Sequence, residues 1–472
     1  MVSLSRRPPY IRLMDPVELF RQVAATVPAY RTFLAENRID PAEVVTIRDF
    51  ERLPLTTKDN YVRRHTLPDL CRDGVIGDMI AVSSGSTGVP SFWPRSVSDE
   101  EVIAARFEEV FRDSFAARER RTLAVVCFAL GTWVGGLFTV NCCRLLAARG
   151  YPITVVAPGT DRREIARVLP ELAPHFDQVV LLGYPPFLKN VIDTEDLPWS
   201  DWDVKLVTAG EVFSEEWRSL VAERAGIADP VRGIASLYGT ADAGVLGNET
   251  ALSVGIRRFL AARPDTAREL FGESRLPTLV QYDPDVRFFE EHEGTLLFSG
   301  DNGIPLIRYH IADEGGVIPY ERLLEFVGRH GFEPEAEGLG TAAGAERPFV
   351  YVFGRSHFTV SYYGANVYPE NIAVGLEQPE VSGSVTGKFV MEVVEDAARD
   401  RHLTVTVELA PGEKPSDEIA QGVGASILAQ LLRLNSEFAN YVPVPQQVPF
   451  VRLREAGDPE YFPPGAKHRY TR

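Results

Sequence analysis

Between residues 120 and 225 the chain alternates short apolar runs with stretches of helical period. Residues 123–128, 153–156 and 179–182 are runs of β-branched and other apolar residues, the pattern of buried strands, and residues 205–208 read as a further strand. Residues 139–149, closed by Gly150, and residues 162–172 read as helices. Ser214 is the expected N-cap of a further helix with Trp217, Leu220 and Val221 on its apolar face. Such alternation predicts an α/β domain with mixed, largely parallel sheets and flanking helices.

The flanks obey other rules. Leu19, Phe20, Val23 and Val27 recur at helical spacing until Pro28 stops them. Residues 53–59 read as a turn, with Thr57 as the cap of the next segment. Residues 79–82 are strand-like and lead into a serine-glycine loop. Ser98 with Glu101 then reads as a capping box, opening a helix faced by Val102, Phe107, Val110, Phe111 and Phe115. From about Thr278 to Arg308 strands and turns dominate, including residues 294–298. Residues 331–347, rich in Gly, Ala and Glu, read as a mobile surface loop. Residues 389–394 and 403–409 are strands, 417–434 a helix and 449–453 a last strand, which together make a small α+β domain. The boundary is placed near Gly354-Arg355, giving a large N-terminal domain over 1–353 and a small mobile lid domain over 354–472. No internal repeat is visible.

Composition narrows the function classes. Of the 472 residues, 45% are hydrophobic and 24% charged, which argues for a folded chain rather than general disorder. The net charge of −17 speaks against a nucleic-acid or anionic-membrane partner, though not against a local basic pocket for an anionic small molecule. The four cysteines form no CxxC pair and the eight histidines no HExxH, so a reducing compartment and the absence of a dedicated zinc site are expected. No run reaches the roughly 18 apolar residues of a membrane span, and residues 1–15 show no secretory pattern. A cytoplasmic protein is expected.

Five segments carry candidate chemistry. Ser83-Ser84-Gly85-Ser86-Thr87-Gly88-Val89-Pro90 can wrap a phosphate chain, since glycines let backbone N–H groups approach and hydroxyls add donors; it can equally be a surface turn. It lacks the GK[ST] ending of a Walker loop. In Ser236-Leu237-Tyr238-Gly239-Thr240-Ala241-Asp242 the tyrosine can lie on an adenine and the aspartate can hold Mg²⁺; the plainer reading is a core tyrosine in a strand-end turn. Asp313, ending Pro305-Leu306-Ile307-Arg308-Tyr309-His310-Ile311-Ala312-Asp313, can accept from two vicinal hydroxyls or simply close a turn. Gly354-Arg355 and Tyr363-Gly364-Ala365-Asn366-Val367-Tyr368-Pro369 suit a linker and a helix start, with Pro369 in the first turn. Lys467, in Gly465-Ala466-Lys467-His468-Arg469, is by itself an ordinary charge in a tail.

In order and spacing these five resemble the adenylate-forming superfamily of acyl-CoA synthetases, adenylation domains and luciferases, and within it the phenylacetate–CoA ligase branch. The first is similar to SSGTTGKP and the second to YGxSE. The third is similar to PLIRYRTGD, the fourth to GRxDDMLxxxGxNVFP, and Thr208-Ala209-Gly210-Glu211 to a GAE segment. The resemblance spans nearly the whole chain. It departs at Val89, where the branch has lysine, at Ala241 and Asp242, at His357 and Phe358 in the hinge, and in GAK for GK.

The resemblance implies a ligase that activates a carboxylic acid with ATP and Mg²⁺ as an acyl-adenylate, releases pyrophosphate, and passes the acyl group to CoA. It implies Ser83, Ser84, Gly85, Ser86, Thr87 and Gly88 on the β- and γ-phosphates. Gly210, Glu211 and Tyr238 would frame the adenine, with Gly239, Thr240 and Arg308 completing the nucleotide set. Asp242 would hold Mg²⁺, Asp313 the ribose, and Arg355 would lie near ribose or phosphate. Lys467 would meet the α-phosphate, so that Lys467, Arg355 and Asp242 form the catalytic set. Phe128, Trp133, Gly135, Gly136 and Tyr184, with Phe138 and Pro185-Pro186-Phe187, are pocket-wall candidates for an aromatic or compact acid, and all of these aromatics also suit a core. The altered hinge keeps other acceptors open, a carrier-protein thiol or an amine, as well as activation of a small oxyanion. A non-catalytic nucleotide-binding homologue is the reading from another class. Homodimerisation would suit the branch.

Overall fold

The computed structural model describes residues 15–83, 90–272, 276–340, 346–355, 359–462 and 470–471, the side chains of Thr194, Arg355 and Glu370 excepted. Asp15 caps the helix Pro16–Thr26 by accepting from Val17 and Glu18 N–H, and Pro28 opens the next, Pro28–Glu36. Both helices bury their apolar faces, Leu19, Phe20, Val23, Tyr30 and Phe33 among them, in one core with Tyr309 and Ile311. Further along is a hairpin, β1 (Met79–Ser83) paired antiparallel with β2 (Ser91–Arg95).

The central sheet has eleven strands among the described residues. They are β3 (Thr122–Val126), β4 (Ile153–Val156), β5 (Gln178–Gly183), β6 (Val204–Ala209), β7 (Ile234–Thr240), β8 (Gly244–Asn248), β9 (Thr278–Gln281), β10 (Phe288–His292), β11 (Thr295–Gly300), β12 (Leu306–Ile318) and β13 (Phe349–Arg355). Their order is β10-β11-β12-β13-β9-β8-β7-β6-β5-β3-β4. Strands β3 to β7 pair in parallel, and β3 and β5 are buried at every position, as their unbroken apolar sequence requires. From β7 to β10 the pairing is antiparallel. The chain runs from β3 outward to β4 and returns to β5. That reversal puts a crevice at the carboxyl ends of β3 and β5, where open α/β sheets bind ligands.

Three local expectations are corrected. The helix expected over 139–149 is Val134–Ala148 and begins earlier. Gly135 and Gly136 sit inside it because the backbones are close: a Cβ on Gly136 would lie 2.3 Å from the Ala129 carbonyl oxygen. The capping box is Ser96 with Asp99, not Ser98 with Glu101; the Ser98 hydroxyl instead bonds that of Ser96. Residues 331–340 are pinned rather than loose. Phe332 and Leu339 are buried against Leu252, Ile256 and Leu323, and Gly255 makes room for Leu339.

Past Arg355 the chain leaves the large sheet. A short hairpin, β14 (Val360–Tyr362) with β15 (Ala365–Val367), leads into the helix Pro369–Leu376. A separate small sheet of β16 (Val385–Glu395), β17 (Arg401–Leu409) and β18 (Phe450–Arg454) packs on that helix and on Asp417–Leu434. Tyr470 adds to its edge, its carbonyl accepting from Met391 N–H at 2.8 Å. No helix among the described residues is long and apolar enough to cross a membrane.

Candidate active site

A cavity of about 780 Å³ opens at the carboxyl ends of the parallel strands. Phe128 follows β3, Tyr184 follows β5, Gly210 and Glu211 follow β6, and Tyr238, Gly239 and Thr240 end β7. Strand β12 crosses beside them and contributes Tyr309, His310 and Asp313. Gly364, Arg401, Glu437 and Tyr441 close the cavity from the small C-terminal unit.

Two tyrosine–aspartate pairs tie β7 to β12 in opposite directions. The Tyr238 hydroxyl donates to Asp313 Oδ2 at 2.7 Å, and the Tyr309 hydroxyl donates to Asp242 Oδ2 at 2.5 Å. Both carboxylates are buried. The strand carrying Tyr309 and Asp313 is irregular: Arg308 (φ 44) and Ala312 (φ 60) are left-handed, and its register with both neighbours shifts. Non-glycine residues rarely adopt that conformation, and its concentration here marks a segment shaped for more than pairing. The turn carrying Asp242 is held from below by Arg95, whose Nη2 donates to the Ala241 carbonyl at 2.7 Å. Lys58 stands on the other side, Nζ 3.6 Å from Asp242 Oδ1.

Glu211 faces the small unit. Its side chain is fully buried; Oε1 accepts from Gly364 N–H at 2.5 Å and Oε2 pairs with Arg401. Burial pulls the Arg401 guanidinium down to about 10. The neighbouring Asp400 makes a second crossing contact, to Lys189 Nζ at 2.6 Å. Tyr184 fills the space between the units. Its ring stacks on Tyr441 at 5.2 Å and meets Phe128 edge-on at 4.9 Å. It fits because Gly210 (φ +89) and Gly364 (φ +82) lack side chains; a Cβ on Gly364 would fall 2.2 Å from the ring.

Of the residues singled out from sequence, Ser83, Phe128, Gly135, Phe138, Tyr184, Gly210, Glu211, Tyr238, Gly239, Thr240, Asp242 and Asp313 line this cavity. Arg355 pairs in register with Asp313, and its side chain is not described. Ser84, Gly85, Ser86, Thr87, Gly88 and Lys467 lie outside the described residues. Pro185, Pro186 and Phe187 do not line the cavity, Phe187 being buried in the core. Three others are placed elsewhere. Arg308 turns away to Glu290 at 2.9 Å and to the Leu53 carbonyl, where it fastens the N-terminal segment to β12. Gly136 packs on the Ala129 carbonyl. Trp133 meets Tyr441 edge-on at 5.1 Å and buttresses the wall rather than forming it.

Sequence reading misses Lys58, Arg401, Glu437 and Tyr441. Lys58 is concealed in a turn; the other three reach the cavity only through tertiary packing. No group of three metal-ligating side chains occurs among the described residues. Asp242 is a single carboxylate, which suits Mg²⁺ carried largely by substrate phosphates and waters, not an all-protein cage.

No family model and no curated protein matches the chain. Solved structures do. The chain is similar to 2-hydroxyisobutyryl-CoA ligase in complex with 2-HIB-AMP and CoA in the thioesterification state, at 17% identity over 100% of this chain and 94% of that one, with a TM-score of 0.61. The postadenylation state of that ligase with R3-HIB-AMP gives 16% identity, the same coverages and a TM-score of 0.53. An open conformation with 2-HIB-AMP and CoA gives 16%, 92% and 94% coverage, and 0.52. With its large mixed sheet and separate small C-terminal sheet, the chain has the fold of the adenylate-forming enzymes.

Proposed function

We propose that the protein is an AMP-forming ligase: it activates a compact or aromatic carboxylic acid with ATP as an acyl-adenylate and transfers the acyl group to CoA. The observation that carries this reading is the pair of crossed Tyr–Asp contacts in the cavity. They hold two buried carboxylates at fixed positions beside Ser83, the root of the serine-glycine loop.

The first half-reaction must bring an anionic carboxylate to an anionic triphosphate. Its oxygen bonds to the α-phosphorus, the bond to pyrophosphate breaks, and pyrophosphate leaves with the electron pair. Asp313, oriented by Tyr238, would accept from two ribose hydroxyls. Asp242, oriented by Tyr309, is the group that would hold Mg²⁺, which neutralises non-reacting oxygens when bound. The aromatic wall of Phe128, Tyr184 and Tyr441 suits the acyl group. About 780 Å³ shared with a nucleotide leaves room for a small acid only.

ATP–pyrophosphate exchange against a panel of aromatic and aliphatic acids tests this reading. One class of acid should drive exchange, and AMP release with thioester formation should then require CoA. ATP binding without exchange for any acid would reject the ligase reading. Exchange with product forming on an amine or carrier thiol, and none on CoA, would move the acceptor.

The better superposition on the thioesterification state than on the postadenylation state supports an acyl-transfer arrangement for the small unit. The Arg401–Glu211 contact then belongs to that step. Arg401→Ala is expected to slow thioester formation from preformed acyl-adenylate about tenfold, a loss of about 1.4 kcal/mol, while pyrophosphate exchange stays within about twofold. Equal losses in both would detach the pair from domain placement.

A further inference from the structure

The helix Val134–Ala148 follows β3 and leads into β4, which pairs with β3 in parallel. It therefore runs from the carboxyl ends of the strands, where the cavity opens, back toward their amino ends. Val134, Gly135, Phe138 and Thr139 all line the cavity. Spaced at i, i+1, i+4 and i+5, they share one face of that helix. Thr139 stands one turn beyond Gly135, about 6 Å along the axis. It is farther from the strand ends than Phe128, and farther than the β7 turn that carries Asp242.

The wall around it is apolar, with Phe107, Phe128, Phe138, Leu237 and Val245. Thr139 is the polar exception, buried to 3% exposure. A helical threonine ordinarily turns its hydroxyl onto the carbonyl four residues back. Thr26 and Thr32 do so here, donating to the Gln22 and Pro28 carbonyls at 2.8 and 3.3 Å. Thr139 does not: its hydroxyl bonds no group among the described residues, the Gly135 carbonyl included. Thr57, Ser83 and Thr240, on the polar side of the cavity, are each engaged, accepting from Asn60 N–H, Trp93 Nε1–H and Ala243 N–H. A buried hydroxyl without a partner is unfavourable, and the open side of Thr139 is the cavity.

We propose that Thr139 is a specificity-determining residue: its hydroxyl hydrogen-bonds a hydroxyl or carbonyl group that the acid carries at the end remote from its carboxylate. The reacting carboxylate belongs at the strand ends, beside the tyrosine–aspartate pairs, so Thr139 reads the far end. The substrate class is then a compact acid with an apolar body and one such polar group. A threonine hydroxyl both donates and accepts, so it serves either. A neutral hydroxyl in an apolar wall does not compensate a second charge, which sets dicarboxylic acids aside. The inference rests on the ligase reading for the reacting carboxylate, and on the pocket alone for the far group.

The test uses the full chain and pairs of acids that differ in one group: 3-hydroxybenzoate against 3-methylbenzoate, 4-hydroxybenzoate against 4-methylbenzoate, and 3-hydroxybutyrate against 3-methylbutyrate. Pyrophosphate exchange should favour the hydroxyl member of at least one pair by about tenfold or more in kcat/KM. Thr139→Val keeps the branched shape and removes the hydroxyl, and should lower that preference about tenfold. Thr139→Ser should retain most of it. The ratio within a pair is insensitive to a general loss of activity. The urea midpoint of Thr139→Val should stay at or above that of the unmodified protein, since no internal bond is lost; a lower midpoint would assign the hydroxyl to the fold and overturn the proposal. So would an unchanged preference in Thr139→Val, or preference for the methyl member of every pair in the unmodified protein. Calorimetric titration with the same acids separates the two claims. If no acid drives exchange, yet the hydroxyl members bind more tightly and Thr139→Val removes that difference, the ligase reading fails and the Thr139 pocket stands. Equal affinities within every pair, or binding of none of the acids, overturn the pocket.

Discussion

Replacing Glu249 by alanine is expected to cost about 3–5 kcal/mol of folding free energy, the loss incurred when one partner of a buried ion pair is removed. Glu249 accepts from Arg218 Nη2 through both oxygens, at 2.8 and 2.9 Å, and from Ser236 N–H at 2.8 Å. Arg218 and Glu249 are fully buried. Glu215 completes the group, accepting from Arg218 Nε at 2.9 Å and from Arg257 Nη1 at 2.7 Å. Arg258, half-exposed, stands 3.7 Å from Glu215 at the rim of the group, and alanine at 249 leaves the buried Arg218 without its bidentate partner. Set against a typical stability of about 5–15 kcal/mol, the change should appear as a large drop in the urea midpoint. A loss below about 1 kcal/mol would show that the group relaxes to solvent. The network also shapes the cavity, since Arg257 donates to the Phe213 carbonyl, just beyond Glu211. Burial alone would raise the Glu215 carboxyl, but Arg218 and Arg257 outweigh it and hold it below its ordinary range. Its stabilising contribution is thus present above the unfolded carboxylate pKa and fades as pH falls through the lower folded value.

Legibility in the sequence depends on which interactions are local. Strands β3 and β5 announce themselves because burial on both faces demands largely apolar runs. The Tyr238–Asp242 and Arg308–Asp313 segments stand out because a shaped strand end needs particular residues in a fixed order. The start of the helix Val134–Ala148 is hidden, since two glycines signal a loop until the Ala129 backbone is seen against them. Arg308 resembles a ligand residue because a charge beside a site tyrosine invites that reading; its left-handed backbone and the Leu53 carbonyl send it the other way. Lys58 sits in a polar turn that no local rule separates from any other. Arg401 and Tyr441 belong to a different folding unit, and their approach to Glu211 and Tyr184 is set by how the units pack, which no short-range pattern encodes.

Lys467→Ala is expected to lower adenylate formation by at least about a hundredfold, the scale of one lost electrostatic donor at a reacting phosphorus. Lys467 itself is outside the described residues, but both flanks are anchored. Phe462 is buried, with its N–H on the Asp458 carbonyl, and Tyr470 is bonded to Met391 of β16. In the arrangement described, Asp400 and Arg401 tie the small unit to Lys189 and Glu211. If this is the arrangement for acyl transfer, adenylation requires these contacts to break and the unit to turn. The same lysine then matters in one half-reaction and not in the other: synthetic acyl-adenylate should be converted to thioester by Lys467→Ala at near the unmodified rate. Adenylate formation unchanged in Lys467→Ala would remove it from the mechanism, and with it the need for the small unit to rotate.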